Sequence, residues 1–190
     1  MARAKREKPV LESIIIKHMA DECPDLLWLG EYSDEDQAGA DIKRGSIIRR
    51  RMDSRREGRF FIPGQGSVPE IRKDLQARGY SRGVAEQMAR AQIRENFQRM
   101  EKYGDSLAMI GIEAEAVIKY RIRPGGGDWR LERLTSGGLW GVESDSGKDH
   151  IEEIEREELA DLREHLQRFG IRVNKNEWAK LIENAERKEA

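Results

Sequence analysis

Residues 108–122, Ala108-Met-Ile-Gly-Ile-Glu-Ala-Glu-Ala-Val-Ile-Lys-Tyr-Arg-Ile122, carry the reading on which the fold depends. Every even position is apolar or aromatic (Ala108, Ile110, Ile112, Ala114, Ala116, Ile118, Tyr120, Ile122), whereas the odd positions include Glu113, Glu115, Lys119 and Arg121. A period of two sends successive side chains to opposite faces of a pleated strand, so one long strand is predicted, with a buried face and a wet one. Pro124 and the glycines Gly125 to Gly127 predict a hairpin connection to a strand over 129–135, and Gly137-Gly138 a turn to a strand over 139–143. The expectation is an antiparallel meander packed by helices on one face, with Trp129 and Leu131 on the same side as the even set across a loop of even length.

Helical periods lie on either side of this core. Ser146-Gly147-Lys148-Asp149 reads as a capping box opening a helix to about Arg168, with Leu159, Leu162, Leu166 and Phe169 as its apolar stripe and Gly170 as its stop. Asn174 and Glu177 predict a last helix over 174–188 carrying Trp178, Leu181, Ile182 and Ala185. Upstream, Ser67 with Glu70 caps a helix over 68–78, and Ser81 opens another over 82–102 whose stripe is Ala85, Ala89, Ile93, Phe97 and Met100. Residues 67–103 therefore form a helical insertion or subdomain.

The first third is less periodic. Leu11, Ile14, Ile15 and Met19 recur at three- and four-residue spacing and predict a short helix from Pro9 to Ala20. Leu26 to Leu29, followed by Glu31-Tyr32, predicts a strand; residues 34–59 read as a long basic polar loop with a short helix, ending at Phe60-Phe61-Ile62. The whole is an α+β chain read as one domain, 1–190, with β-meander and acidic helix over 107–170.

Composition limits the function classes. The 190 residues are 37% hydrophobic and 37% charged, against about 25% charged in ordinary globular chains, yet four Trp, four Tyr and four Phe supply a core. A formal net charge of -1 supplies no whole-molecule field toward nucleic acid. The charge is instead polarised along the chain. Lys43 to Arg59 holds eight basic residues against Asp53 and Glu57, and Glu143 to Glu164 holds ten acidic residues against Lys148, Arg156 and Arg163. A single cysteine, Cys23, excludes an internal disulfide and a multi-thiol zinc site. The basic start is followed only by the short run Ser13-Ile14-Ile15-Ile16, and no stretch approaches the ~20 apolar residues of a membrane span, so a cytoplasmic setting is expected.

Three stretches carry a family likeness: Ile110-Gly-Ile-Glu-Ala-Glu-Ala-Val117, Leu134-Thr-Ser-Gly-Gly-Leu-Trp-Gly-Val-Glu-Ser-Asp-Ser-Gly147 and Glu157-Glu-Leu-Ala-Asp-Leu162, with Trp28-Leu-Gly-Glu-Tyr-Ser33 and the region 79–103 in support. The chain resembles an uncharacterised family of small proteins common in bacteriophages, prophages and plasmids. That resemblance implies a mobile-element gene acting inside a bacterial host. Accessory genes of this kind often block host defence, as anti-CRISPR proteins do, usually by binding and without chemistry. It implies no catalytic residue.

Five candidate sites follow from the residues. The acidic helix offers Glu152, Glu153, Glu157, Asp161 and Glu164 as an outward face that imitates a phosphate backbone and fits a basic groove on a host protein or ribonucleoprotein complex; its other reading is a solvated face with internal pairs such as Glu152–Arg156 and Glu164–Arg168. The basic loop offers Arg49, Arg50, Arg51, Arg55 and Arg56 to nucleic-acid phosphates, with Phe60, Phe61 and Trp28 as stacking surfaces; its other reading is a charged loop docked on the protein's own acids. Glu113, Glu115, Glu143 and Asp145 form a weaker candidate set for Mg²⁺ or Mn²⁺, against cross-strand pairing with Lys119, Arg121 and Arg130. His150 lies beside Asp145 with no serine or cysteine nucleophile placed near it, and Ser136-Gly137-Gly138 lacks the lysine and setting of a phosphate loop. The reading favours a non-catalytic binding protein without cofactors, with nucleic-acid binding and a metal-dependent enzyme as alternatives.

Overall fold

The structure is a computed structural model and describes residues 8–50, 58–122 and 127–189. The chain divides into two compact units, whereas the sequence reads as one domain. One runs up to Pro24 and resumes at Ala108, and the other is Asp25–Leu107, inserted between them. The fold class is α+β.

In the first unit, β1 (Val10–Ala20) pairs antiparallel with β5 (Met109–Arg121), from Val10 opposite Lys119 to Ala20 opposite Ile110. The predicted helix at Pro9–Ala20 is thus a strand. Ile14 and Ile16 point to one face and Ile15 to the other, and all three are buried. A strand buried on both faces shows an unbroken apolar run, and its chance three- and four-residue spacings imitate a helix. The β-branched triplet favours the extended chain.

The long strand forms as predicted, but the meander does not. On the far edge of β5, β6 (Trp129–Thr135) pairs with Glu115–Arg121 and β7 (Leu139–Glu143) with Met109–Ile112, both antiparallel. They follow one another along the same edge and do not fold back on each other. Ser136-Gly137-Gly138 is an interruption within that edge, with Gly137 and Gly138 at φ of 114° and 80°, a left-handed conformation that glycine adopts freely. The face of β6 is also opposite to expectation. Arg121 faces Trp129 and Lys119 faces Leu131, because the seven residues 122–128 between them keep the parity that an even loop would have reversed. Trp129 and Leu131 therefore lie on the wet face, where Lys119 and Arg121 approach the Trp129 ring to 5.3 and 4.8 Å. A short strand at the C-terminus, β8 (Glu186–Glu189), runs parallel to β1, so the sheet is mixed, in the order β6-β5-β1-β8. The predicted helix over 174–188 ends earlier, as Lys175–Glu183, with Asn174 Oδ1 accepting from Glu177 N at 2.9 Å.

The helix Lys148–Arg168 covers the even face; its N-cap is Gly147, with no side-chain cap from Ser146. Ile154, Leu159, Leu162 and Leu166 meet Ile14, Ile16, Ile112, Ala114, Ala116 and Ile118 in one core, joined by Trp178. Each fully buried Ile or Leu contributes about 1.5–3 kcal/mol, so this seam fixes the helix to the sheet.

In the second unit, helices Val68–Ala77 and Arg82–Lys102 form as predicted, and Glu70 accepts from both Ser67 N and Ser67 Oγ at 2.7 Å. Leu26 to Leu29 is a turn, not a strand, closed by Leu29 N to Leu26 O at 2.9 Å. The 34–59 segment supplies a helix, Gly39–Arg44, and a strand, Ile48–Arg49, beside Phe60–Pro63 and Gly30–Ser33 in a three-stranded sheet. In chain order these complete the numbering: β2 (Gly30–Ser33), α1 (Gly39–Arg44), β3 (Ile48–Arg49), β4 (Phe60–Pro63), α2 (Val68–Ala77), α3 (Arg82–Lys102), α4 (Lys148–Arg168) and α5 (Lys175–Glu183).

Gly111 is the close approach in the large sheet. The six-membered ring of Trp140 lies over it, and a Cβ there would fall 2.6 Å from Cζ3 and 2.7 Å from Cδ2. Gly111→Val is expected to push Trp140 off the sheet and destabilise the fold by about 1–3 kcal/mol, read from a urea midpoint shift and a change in tryptophan fluorescence; unchanged values of both would show that the ring does not rest there.

Candidate functional site

Helix α4 has two chemically distinct sides. Residues 153, 157, 161 and 164 fall within one narrow stripe at 3.6 residues per turn, opposite the apolar stripe. Glu152, Glu153, Glu157, Asp161 and Glu164 are all exposed. Glu153, Glu157 and Asp161 succeed one another at four-residue steps, about 6 Å of rise each. Glu152 lies 3.5 Å from Lys148 and Glu164 lies 2.6 Å from Arg168, both exposed pairs of small energetic weight. Arg156 Nε donates to the backbone oxygen of Glu152, not to its carboxylate. Among the described residues, Glu153, Glu157 and Asp161 make no ion pair.

Two other acids of the helix turn inward, which the sequence reading missed. Glu155 is 6% exposed and Glu158 8%. Glu155 sits four residues after Ile151 and Glu158 four after Ile154, so both fall inside the apolar stripe; that position was the available signal. Each has dedicated partners. Arg187 of β8 donates to Glu155 through Nε and Nη2 at 3.2 and 2.9 Å, and His18 Nε2 of β1 lies 3.0 Å from it. Glu158 accepts from Ser136 Oγ at 2.5 Å and from Gly138 N at 3.2 Å. The Ser136-Gly137-Gly138 interruption is thus the receptor for a buried carboxylate, since leaving such a group without partners costs several kcal/mol. On its other side, Ser136 Oγ accepts from Ala114 N at 3.1 Å.

Glu113 and Glu115 lie on the opposite face of the sheet, where Lys17 of β1 bridges them at 3.2 and 2.6 Å, and Arg133 Nη1 reaches Glu115 at 3.1 Å. The position a divalent cation would take is held by an ammonium. Glu143 stands opposite Met109, four residues or roughly 13 Å along β5 from Glu113, and Asp145 lies beyond the strand. The four carboxylates do not converge, and no group of three metal-ligating side chains occurs among the described residues. Hydrogen bonding to Glu115 holds the Lys17 ammonium above the ordinary lysine range; Glu113 adds to this, and burial opposes it.

The basic segment is divided. Arg49 is exposed, but Arg50 is 6% exposed: Nη1 donates to Gly58 O at 2.9 Å, Nη2 lies 3.0 Å from Glu101, and the guanidinium sits 4.1 Å above the Tyr32 ring. Arg50 is a buried structural cation of the second unit and is not offered to phosphates. Phe60 and Phe61 are likewise buried, Phe61 against Tyr32 and Phe97. Arg59 pairs with Asp34 and Asp36. Arg51, Arg55 and Arg56 lie outside the described residues. His150 is exposed in the first turn of α4, and His165 Nδ1 lies 3.0 Å from Thr135 O. A groove of 290 Å³ between α4 and α5, lined by Leu159, Arg163, Trp178 and Ile182, is open to solvent and partly roofed by Arg163 stacked 5.6 Å from Trp178. Arg156, Glu164 and Gln167 also line it, and its openness to solvent sets it apart from the enclosed clefts that bury a substrate.

No protein-family model matches the chain, nor does any curated protein or solved structure. Among the described residues, no helix is long and apolar enough to cross a membrane.

Lys17 gives this site a measurable signature. Its folded pKa is raised above the ordinary 10.5, so its contribution is complete below that pH and is lost as pH rises through the folded value. Thermal stability is expected to fall across that alkaline window. Lys17→Met is expected to cost at least about 2 kcal/mol at neutral pH by leaving Glu115 with Arg133 alone, and to flatten the alkaline fall. Equal melting temperatures for variant and parent would refute the bridge.

Proposed function

We propose that this protein acts by non-catalytic binding, presenting the outer face of α4 to a basic surface of a host protein or ribonucleoprotein complex. The observation supporting this is the division of acids on one helix. Glu155 and Glu158 are buried and satisfied by His18, Arg187, Ser136 and Gly138, whereas Glu153, Glu157 and Asp161 stand in an exposed row with no ion pair among the described residues. A row of fixed carboxylates on a rigid helix complements a groove built to hold phosphates, and it steers association through charge. The resemblance to phage and plasmid proteins gives this binding its setting: a mobile-element accessory protein in a bacterial cytoplasm, inhibiting a nucleic-acid-guided host defence in the manner of anti-CRISPR proteins. Catalysis is not part of the reading, because Lys17 bridges Glu113 and Glu115, two of the four carboxylates considered for a metal, and the other two stand apart from them.

Reversing the charge at Glu153, Glu157, Asp161 and Glu164 together removes the row without touching the core. The variant is expected to keep the parent's circular dichroism and melting temperature and to lose capture of the host complex from a lysate of the host bacterium, with the captured species identified by mass spectrometry. Undiminished capture by the folded variant would overturn the acidic-face reading.

A further inference from the structure

We propose that β6 is a dimerisation edge, and that two copies of this chain join through antiparallel β6–β6 pairing centred on Leu131. This goes beyond the α4 reading and uses none of its residues. The two edges of the large sheet differ in kind. On one side β8 is four residues, Glu-Arg-Lys-Glu, all charged and exposed, which is how a short edge is kept from pairing with other chains. On the other, β6 is seven residues long, Trp129 to Leu131 to Arg133 are exposed, and no strand pairs with its outer side among the described residues.

The backbone dictates which residues face outward. Ile122 N donates to Asp128 O at 3.2 Å, and Ser136 N donates to Ala114 O at 2.9 Å. Even-numbered residues of β6 thus turn their amide and carbonyl groups toward β5. In an antiparallel ladder the intervening residues, Trp129, Leu131, Arg133 and Thr135, turn theirs outward. A second β6 must match odd residues with odd ones, which leaves few registers. Centring on Glu132 sets Glu132 against Glu132 of the second copy; centring on Arg130 sets Arg130 against itself and Asp128 against Glu132; centring on Arg133 sets Arg133 against itself. Like charges directly opposite are destabilising.

Centring on Leu131 avoids all of these. On the face toward α4, Arg130 stands opposite Glu132 of the second copy, twice by symmetry. On the other face Leu131 meets Leu131, and Trp129, whose ring already takes Lys119 and Arg121, meets Arg133, which is held by Glu115 of its own copy. In this register the strand is self-complementary in charge, as an isologous two-fold contact requires. One short ladder is a small interface, so the affinity falls in the weak, micromolar class. The Ser136-Gly137-Gly138 interruption ends the ladder on one side.

Charge exchange tests the register, not merely the dimer. Arg130 and Glu132 have side chains 63% and 47% exposed, and their mutual pair at 2.9 Å and the Tyr120 hydrogen bond to Glu132 are surface contacts of small weight, so substitution leaves the fold intact. Sedimentation velocity of the full chain at roughly 100 μM, well above a micromolar Kd, is expected to show a dimer. Arg130→Glu sets Glu against Glu, and Glu132→Arg sets Arg against Arg; each alone is expected to weaken the dimer at least tenfold. An equimolar mixture of the two variants restores opposite charges at both positions and is expected to give a heterodimer, detected by native mass spectrometry. Leu131→Pro removes an outward amide that the β5 ladder does not use and is expected to give a folded monomer. A wild-type chain that stays monomeric at this concentration overturns the proposal. So does a dimer indifferent to both single variants, or a mixture that forms no heterodimer.

Discussion

The ladder between β1 and β5 is the contact on which the first unit depends, because it joins segments separated by the whole of the inserted second unit. Asp21 N still bonds Met109 O at 2.9 Å at its end, so the chain leaves this ladder close to where it returns to it. An insertion whose ends are close costs the parent fold little, because loop-closure entropy grows slowly with length. The ladder must nevertheless find its register, since a slip of one residue would turn Ile14 and Ile16 out of the core. The bridge from Lys17 to Glu113 and Glu115 discriminates here as well: a slip of one residue would set Lys17 opposite Ile112 or Ala114 and take its ammonium from both carboxylates.

Helix α4 depends on that register in turn. Its inward acids are matched one by one to groups that separate parts of the sheet supply: His18 on β1, Arg187 on β8, Ser136 and Gly138 at the break between β6 and β7. Buried polar contacts of this kind add little net energy when satisfied, but they penalise any misplacement of the helix. They hold the helix in one rotational setting, which in turn fixes the direction of the outward row.

Elements with one clear period were legible in the sequence: β5, α2, α3 and α4 appear where that period placed them, although the odd face of β5, expected to be wet, also buries Met109, Gly111 and Glu115. Elements buried on both faces were not, and β1 was misread because a continuous apolar run carries no phase. The face of β6 was illegible for another reason: it depends on the number of residues in a connection, which glycines leave free. Among the candidate site residues, the exposed acids of α4 followed from helical phase. The role of Arg50 did not, since an arginine that stacks on Tyr32 and pairs with Glu101 looks in sequence like any member of its basic run. Glu155 and Glu158 were readable in principle, as acids in an apolar stripe must be paired where they land.

The edge of β6 and the outer row of α4 combine into a geometric consequence. Two antiparallel edge strands related by a two-fold axis normal to the sheet extend it as one surface, with equivalent faces on the same side. Because α4 covers the face that carries Ile112, Ala114 and Ala116, a dimer joined at Leu131 sets both α4 helices on one side of a continuous sheet, their acidic rows pointing the same way. Two weak acidic contacts held at a fixed separation bind a target with two matching basic surfaces far more tightly than either alone, and gain nothing on a target with one. A bivalent arrangement would therefore select for assemblies with repeated or extended basic grooves. It would also make occupancy depend steeply on the protein's own concentration, since at low concentration a micromolar dimer separates and the second contact is lost.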